Sequence, residues 1–138
     1  MLFTKLGSNV AAVCWSVNGA FVTRPINLAV STNDASEFTC TTNHTNATTS
    51  PNPAIIHWWY MAGGGSTKMR PIVSLCEVYS RKDKSVYHTE SAAGGACNLI
   101  VNSTQLMNAG RYLCDDERGK AISTAELVVL GNPIIALI

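Results

Sequence analysis

Three short segments constrain this chain more than any other feature: Phe38-Thr39-Cys40, Ile56-His57-Trp58, and Asn108-Ala109-Gly110-Arg111-Tyr112-Leu113-Cys114. Side chains along a β-strand alternate between its two faces, so Phe38 shares a face with Cys40, Ile56 with Trp58, and Tyr112 with Cys114. A core filled from two facing sheets needs that kind of strand, each with its largest apolar residues on one side. Trp59 follows Trp58 directly, and a one-residue slip would exchange the two faces of this strand. Ile56, two residues earlier, assigns Trp58 to the inside.

The rest of the chain fits an all-β reading. Helical periodicity is hard to find, whereas short apolar alternations recur over residues 21–30, 36–40, 55–61, 71–79, 86–90, 98–102, 110–114 and 123–130. Between them lie turn-forming residues, notably 41–53 and Gly63-Gly64-Gly65-Ser66. The chain holds 13 Thr, 12 Ser and 11 Asn, residues that suit turns, strands and caps better than helix interiors. Its 138 residues make one compact domain with a real core.

Several function classes recede on composition and spacing. Ten basic residues against nine acidic ones give a net charge of +1, without the basic stripe that nucleic acid requires. No apolar run approaches the roughly 20 residues of a membrane span. The stretch from Gly63 to Lys68 lacks the spacing of a phosphate-binding loop, and His44, His57 and His88 sit in separate elements with no metal-ligand spacing. No Ser/His/Asp set, carboxylate pair or cofactor fingerprint stands out, so the expectation is a non-enzyme without cofactor or metal.

Five cysteines in so short a chain point to an oxidising compartment, and their odd number leaves one without an internal partner. Residues 1–20 read in two ways, as a signal peptide cut after Ala20 or as an N-terminal strand extension. The first would remove Cys14 and leave Cys40, Cys76, Cys97 and Cys114, which allow three connectivities.

The three-segment pattern resembles the immunoglobulin superfamily, and specifically its variable-type (V-set) domains, over residues 21–131. The resemblance implies an all-β immunoglobulin-like V-set β-sandwich of two antiparallel sheets, with Cys40 on strand B, Trp58 on strand C and Cys114 on strand F. It implies a Cys40–Cys114 disulfide packed against Trp58, inward Leu99 and Val101 on strand E, and Tyr112 at the tyrosine-corner position. The interval from Trp58 to Leu99 has room for the additional C′ and C″ strands. Two departures matter. Asn108 stands where the family usually has an Asp paired with an Arg at the start of strand D, and residues 123–130 lack the Phe-Gly-x-Gly bulge of antibody and T-cell receptor chains. Cys76 and Cys97 are extra to the family pair. A bridge between them would tie the C′ region to strand E, the alternatives being a bond to Cys14 or a free thiol.

Function follows from what the core does not absorb. Asn43, Asn46 and Asn102 head three acceptor sequons for N-linked glycans, which imply a secretory route. Ile55, Trp59, Met61 and Leu113 have the opposite parity to the core set and map to the outer face of the sheet formed by strands G, F, C and C′. By resemblance that face pairs with a protein partner, a second copy being one candidate. Trp59, Met61 and Leu113 are its expected contact residues. The alternative cover for it is the N-terminal segment or the tail 134–138. The expected function is an extracellular recognition module of cell-adhesion or immune-receptor type, secreted or on the cell surface. The other reading is a secreted lectin-like or ligand-binding domain acting through residues 41–54, 77–84 and 115–121, the BC, C′C″ and FG loops. Residues 132–138, beginning Asn132-Pro133, read as an apolar tail or the start of a linker, and any membrane attachment would lie in segments outside this chain.

Overall fold

The computed structural model describes residues 21–42, 56–65, 67–92, 94–116 and 122–131. They form β1 (Phe21–Thr23), β2 (Leu28–Ser31), β3 (Ser36–Phe38), β4 (Thr41–Thr42), β5 (Ile56–Ala62), β6 (Arg70–Ser74), β7 (Glu77–Val78), β8 (Tyr87–Ala92), β9 (Ala96–Val101), β10 (Gly110–Asp116) and β11 (Ile122–Leu130). One sheet has β3 and β4 successively along one edge of β9, β8 along the other, and β1 outside β4. The second has six strands in the order β2-β11-β10-β5-β6-β7. All pairings are antiparallel but one: β2 runs parallel to β11, which corrects the expectation of purely antiparallel sheets.

Three expected strands are divided. Residues 21–30 split around buried Pro25, which has no N–H to donate, so that β1 joins one sheet and β2 the other. Residues 36–40 give β3, then a gap at Thr39-Cys40, then β4. Residues 71–79 fold back at Leu75-Cys76 into the hairpin β6–β7, in register at Val73–Val78 and Ser74–Glu77. Leu75 and Cys76 have φ of 50° and 60°, as a two-residue hairpin turn of the primed type demands. Neither is a usual occupant of that region, where each non-glycine residue costs roughly 1–2 kcal/mol. Three restraints hold Cys76 in the turn: its N–H donates to the Ile56 carbonyl at 3.0 Å, its carbonyl accepts the Thr89 hydroxyl at 2.8 Å, and its sulfur is bonded to Cys97.

The core lies between the sheets. Trp58, Tyr112, Phe38, Ile56, Ile72, Leu99 and Leu127 are buried there, with the Phe38 and Tyr112 rings stacked at 5.0 Å. Trp58 is fully buried and donates its indole N–H to the Cys97 carbonyl at 3.1 Å, so the inward register at the Trp58-Trp59 pair holds. Cys40–Cys114 joins the two sheets, and Cys76–Cys97 ties the β6–β7 turn to β9, which leaves none of the four for Cys14. The Tyr112 hydroxyl donates to the Asn108 carbonyl at 2.7 Å, closing the corner before β10. Burial drives the Tyr112 phenol far above its ordinary pKa, with neighbouring Tyr87 adding to the effect.

Gly110 opens β10 at φ +145°. A Cβ there would lie 2.8 Å from the Met61 carbonyl oxygen and 3.0 Å from the Tyr60 ring, so the close β5–β10 approach excludes a side chain. Asn108 makes no ion pair; its side-chain oxygen accepts the Gln105 N–H at 2.7 Å. The ion pair of this region joins other residues, Arg70 on β6 and buried Asp83, at 2.7 Å.

Candidate functional site: the outer face of the six-stranded sheet

Alternation along β5, β10 and β11 sends a second set of side chains outward, and strand pairing arranges them in rows across the sheet. The central row runs Pro71–Trp59–Leu113–Thr124. On one side of it lies Met61–Arg111–Glu126, and on the other His57–Asp115–Ile122. Directly opposed side chains in antiparallel pairs lie within contact distance, so each row behaves as a unit.

The structure brings Trp59, Met61 and Leu113 together as the sequence suggests, and corrects the exposure of one of them. Leu113 is only 7% exposed. It sits on a middle strand with Trp59 on one side and Thr124 on the other, and these neighbours cover it. Trp59 and Met61 are half-buried, and Ile55 lies outside the described residues. The face that meets solvent is therefore Trp59 and Met61 flanked by exposed Pro71, with Leu113 as its floor. Further apolar surface comes from β11, where Ile122, Val128 and Leu130 are 57%, 52% and 47% exposed. Their outward parity in residues 123–130 was available in the sequence for Val128 and Leu130; Ile122 lay just before that segment.

Proline at position 71 has a consequence for the edge of this patch. Trp58 pairs with Val73 but Trp59 with Pro71, so Ile72 is the extra residue of a β-bulge, and both Ile72 and Val73 turn into the core. The bulge leaves Pro71 outside, level with Trp59.

Charged groups flank the central row. The Trp59 indole N–H donates to Asp115 Oδ2 at 2.8 Å, which fixes the ring across the strand. Arg111 Nε lies 2.9 Å from Glu126 Oε2, with both side chains about half exposed, so the pair contributes under about 1 kcal/mol to the fold. Burial raises the pKa of the Asp115 carboxyl above its ordinary value; the Trp59 N–H and neighbouring His57 oppose this, and Asp116 reinforces it. Arg111, Asp115 and Glu126 carry no signal in the sequence, because isolated charges in a strand look like ordinary solvated positions.

The other expected sites are less assembled. Of the segment 41–54 only Thr41 and Thr42 are described, and they form β4; of 115–121 only Asp115 and Asp116, which end β10. In 77–84, Glu77 and Val78 are strand, and Asp83 begins a short 3-10 turn, Asp83–Ser85. Asn102 is exposed just after β9 and hydrogen-bonds to His88 Nδ1 through its side-chain oxygen. Asn43, Asn46, Cys14, His44 and the segments 1–20 and 132–138 lie outside the described residues. Among the described residues no group of His, Cys, Asp and Glu is arranged to hold a metal ion, and no helix is long and apolar enough to cross a membrane.

Comparison with known proteins gives the fold a setting. No family model matches the sequence, and no curated protein matches it. Solved structures do match. The chain is similar to the titin M10–obscurin-like 1 immunoglobulin complex at 19% identity and a TM-score of 0.54, over 83% of this chain and 95% of that one. A mutant of that complex matches at 20% identity, TM-score 0.55, 83% and 94% coverage. The I9–I11 tandem from titin matches at 15% identity and a TM-score of 0.55, over 81% of this chain and 33% of the tandem. The sandwich is thus an immunoglobulin-like fold.

Proposed function

We propose that this chain is a variable-type immunoglobulin domain that works outside the cell, secreted or at the cell surface, as a non-enzymatic recognition module of adhesion or immune-receptor type. It binds a protein partner through the outer face of the six-stranded sheet. The observation that carries this reading is the row Pro71–Trp59–Leu113: a half-buried tryptophan, held by Asp115 and seated beside a covered leucine, in the middle of a sheet face. Interfaces are anchored by aromatic side chains set in an apolar centre with a polar rim, and a lone monomer has little reason to keep a tryptophan there. The variable subtype is supported by β6 and β7, which extend this sheet beyond β5. Two disulfides and the exposed Asn102 sequon support the extracellular setting and N-linked modification. That one structural neighbour is an immunoglobulin domain complex supports a protein as the partner.

Sedimentation equilibrium of the oxidised domain over a wide concentration range tests the reading, with Trp59→Glu beside it. The expected result is a parent that self-associates and a folded variant that stays monomeric. An association that Trp59→Glu leaves intact moves recognition off this face and towards the end loops.

A further inference from the structure

Arg111, Leu113 and Asp115 point outward from one strand, so opposite charges stand two residues to either side of the covered leucine, about 13 Å apart. Two identical faces pressed together are related by a two-fold axis lying in the interface plane, because a closed pair uses the same patch on both copies. Through Leu113 that axis has two simple directions. Laid along β10, it sets Arg111 opposite Arg111 and Asp115 opposite Asp115. Laid across β10, it sets each Arg111 opposite the other copy's Asp115, twice, and brings the two Trp59 rings to the same level.

We propose that the partner is a second copy of this chain, paired face to face with its β10 antiparallel to the first, through two reciprocal Arg111–Asp115 contacts around Trp59 and Leu113. The inference rests on the docking face assigned above and adds its occupant and orientation. Like charges juxtaposed across an interface oppose binding strongly, whereas complementary ones select orientation and speed encounter. Both groups are accessible for this. Arg111 is half exposed beside Glu126, and the Asp115 carboxylate spends one oxygen on the Trp59 indole and has a second to offer. The crossing of about 30° between aligned sheet faces leaves these long side chains within reach.

Sedimentation equilibrium of Arg111→Glu, Asp115→Arg, the double swap Arg111→Glu/Asp115→Arg, and Trp59→Glu separates the outcomes, with urea unfolding run on each to confirm folding. The antiparallel pair predicts that each single charge reversal weakens self-association about tenfold or more and that the double swap restores it. A parent dimer lost in Trp59→Glu but unchanged in Arg111→Glu keeps the face and overturns the orientation, since like already met like there. A dimer indifferent to Trp59→Glu overturns the face together with the orientation. A parent monomeric at every concentration overturns the second copy as occupant.

Discussion

The two outer faces of this sandwich are made by the same alternation yet differ in character. On the five-stranded sheet the outward row Glu37–Ile100–His88 has its one large apolar residue covered, and around it Asn98 donates to Glu37 at 3.1 Å while His88 is held by Asn102 and lies 3.7 Å from Glu90. Polar neighbours satisfy the middle of that surface. On the six-stranded sheet the corresponding row is Pro71–Trp59–Leu113–Thr124, with exposed Ile122 and Val128 nearby. Both faces bury one aliphatic residue, Ile100 and Leu113, each 7% exposed. They differ in what flanks it: charged and polar side chains on one face, an indole and a threonine on the other. A sheet face that ends in polar side chains is finished, whereas one that ends in tryptophan and proline has apolar surface left to bury.

That contrast can be broken at the frame the faces share. Replacing Cys40 and Cys114 by alanine is expected to lower stability by about 2–5 kcal/mol in urea unfolding, with both faces lost in one transition because they stand on one core. Separate transitions for the two sheets would deny them a common support. A sharper comparison sets Leu113→Ala beside Ile100→Ala. Each removes a covered aliphatic group and is expected to cost about 2 kcal/mol, but only Leu113→Ala is expected to lower self-association in sedimentation, because only that leucine floors the proposed docking face. Equal effects on association would erase the distinction.

The smallest expected effect concerns Asp115. Its folded-state pKa is raised by burial, so the folded protein holds this proton more tightly than the unfolded chain does, and ionising it costs stability as pH rises through the carboxylate range. Asp115→Asn keeps a side-chain oxygen for the Trp59 indole and removes that loss. The variant should gain about a few tenths of a kcal/mol at neutral pH, small because solvent still screens this half-buried group, and the gain should vanish in acid. The same change should weaken self-association, since the neutral amide no longer attracts Arg111; a variant that dimerises as well as the parent argues against the charge pairing.

Much of this was legible because period-two alternation is a local property. Phe38, Trp58, Leu99, Val101, Tyr112 and Cys114 were assigned inward and are buried, and Trp59 was assigned outward. The breaks were less visible. Pro25 inside an apolar run is a recognisable interruption, but the turn at Leu75-Cys76 has neither Gly, Asn nor Pro to announce it, and its left-handed backbone is sustained by a bridge to Cys97 that is distant in sequence. The parallel β2–β11 pairing, the bulge at Ile72 and the cover over Leu113 depend on which strands become neighbours, and no single segment encodes that. The Arg111–Glu126 pair is of the same kind, two charges made adjacent by strand register.

The adjacent tryptophans supply the most direct test of the central claim, that the outer face of the six-stranded sheet is the one left for a partner. Their indole N–H groups report opposite sides of β5: Trp58 bonded to the Cys97 carbonyl in the core, Trp59 bonded to Asp115 outside. Nitrogen-resolved NMR of the two indole signals, followed as the protein is concentrated, reads both faces in one spectrum. The account predicts that the Trp59 indole signal moves and broadens with concentration while that of Trp58 stays in place. A Trp59 signal that stays fixed while the amides of Glu37, His88 and Ile100 move would contradict it.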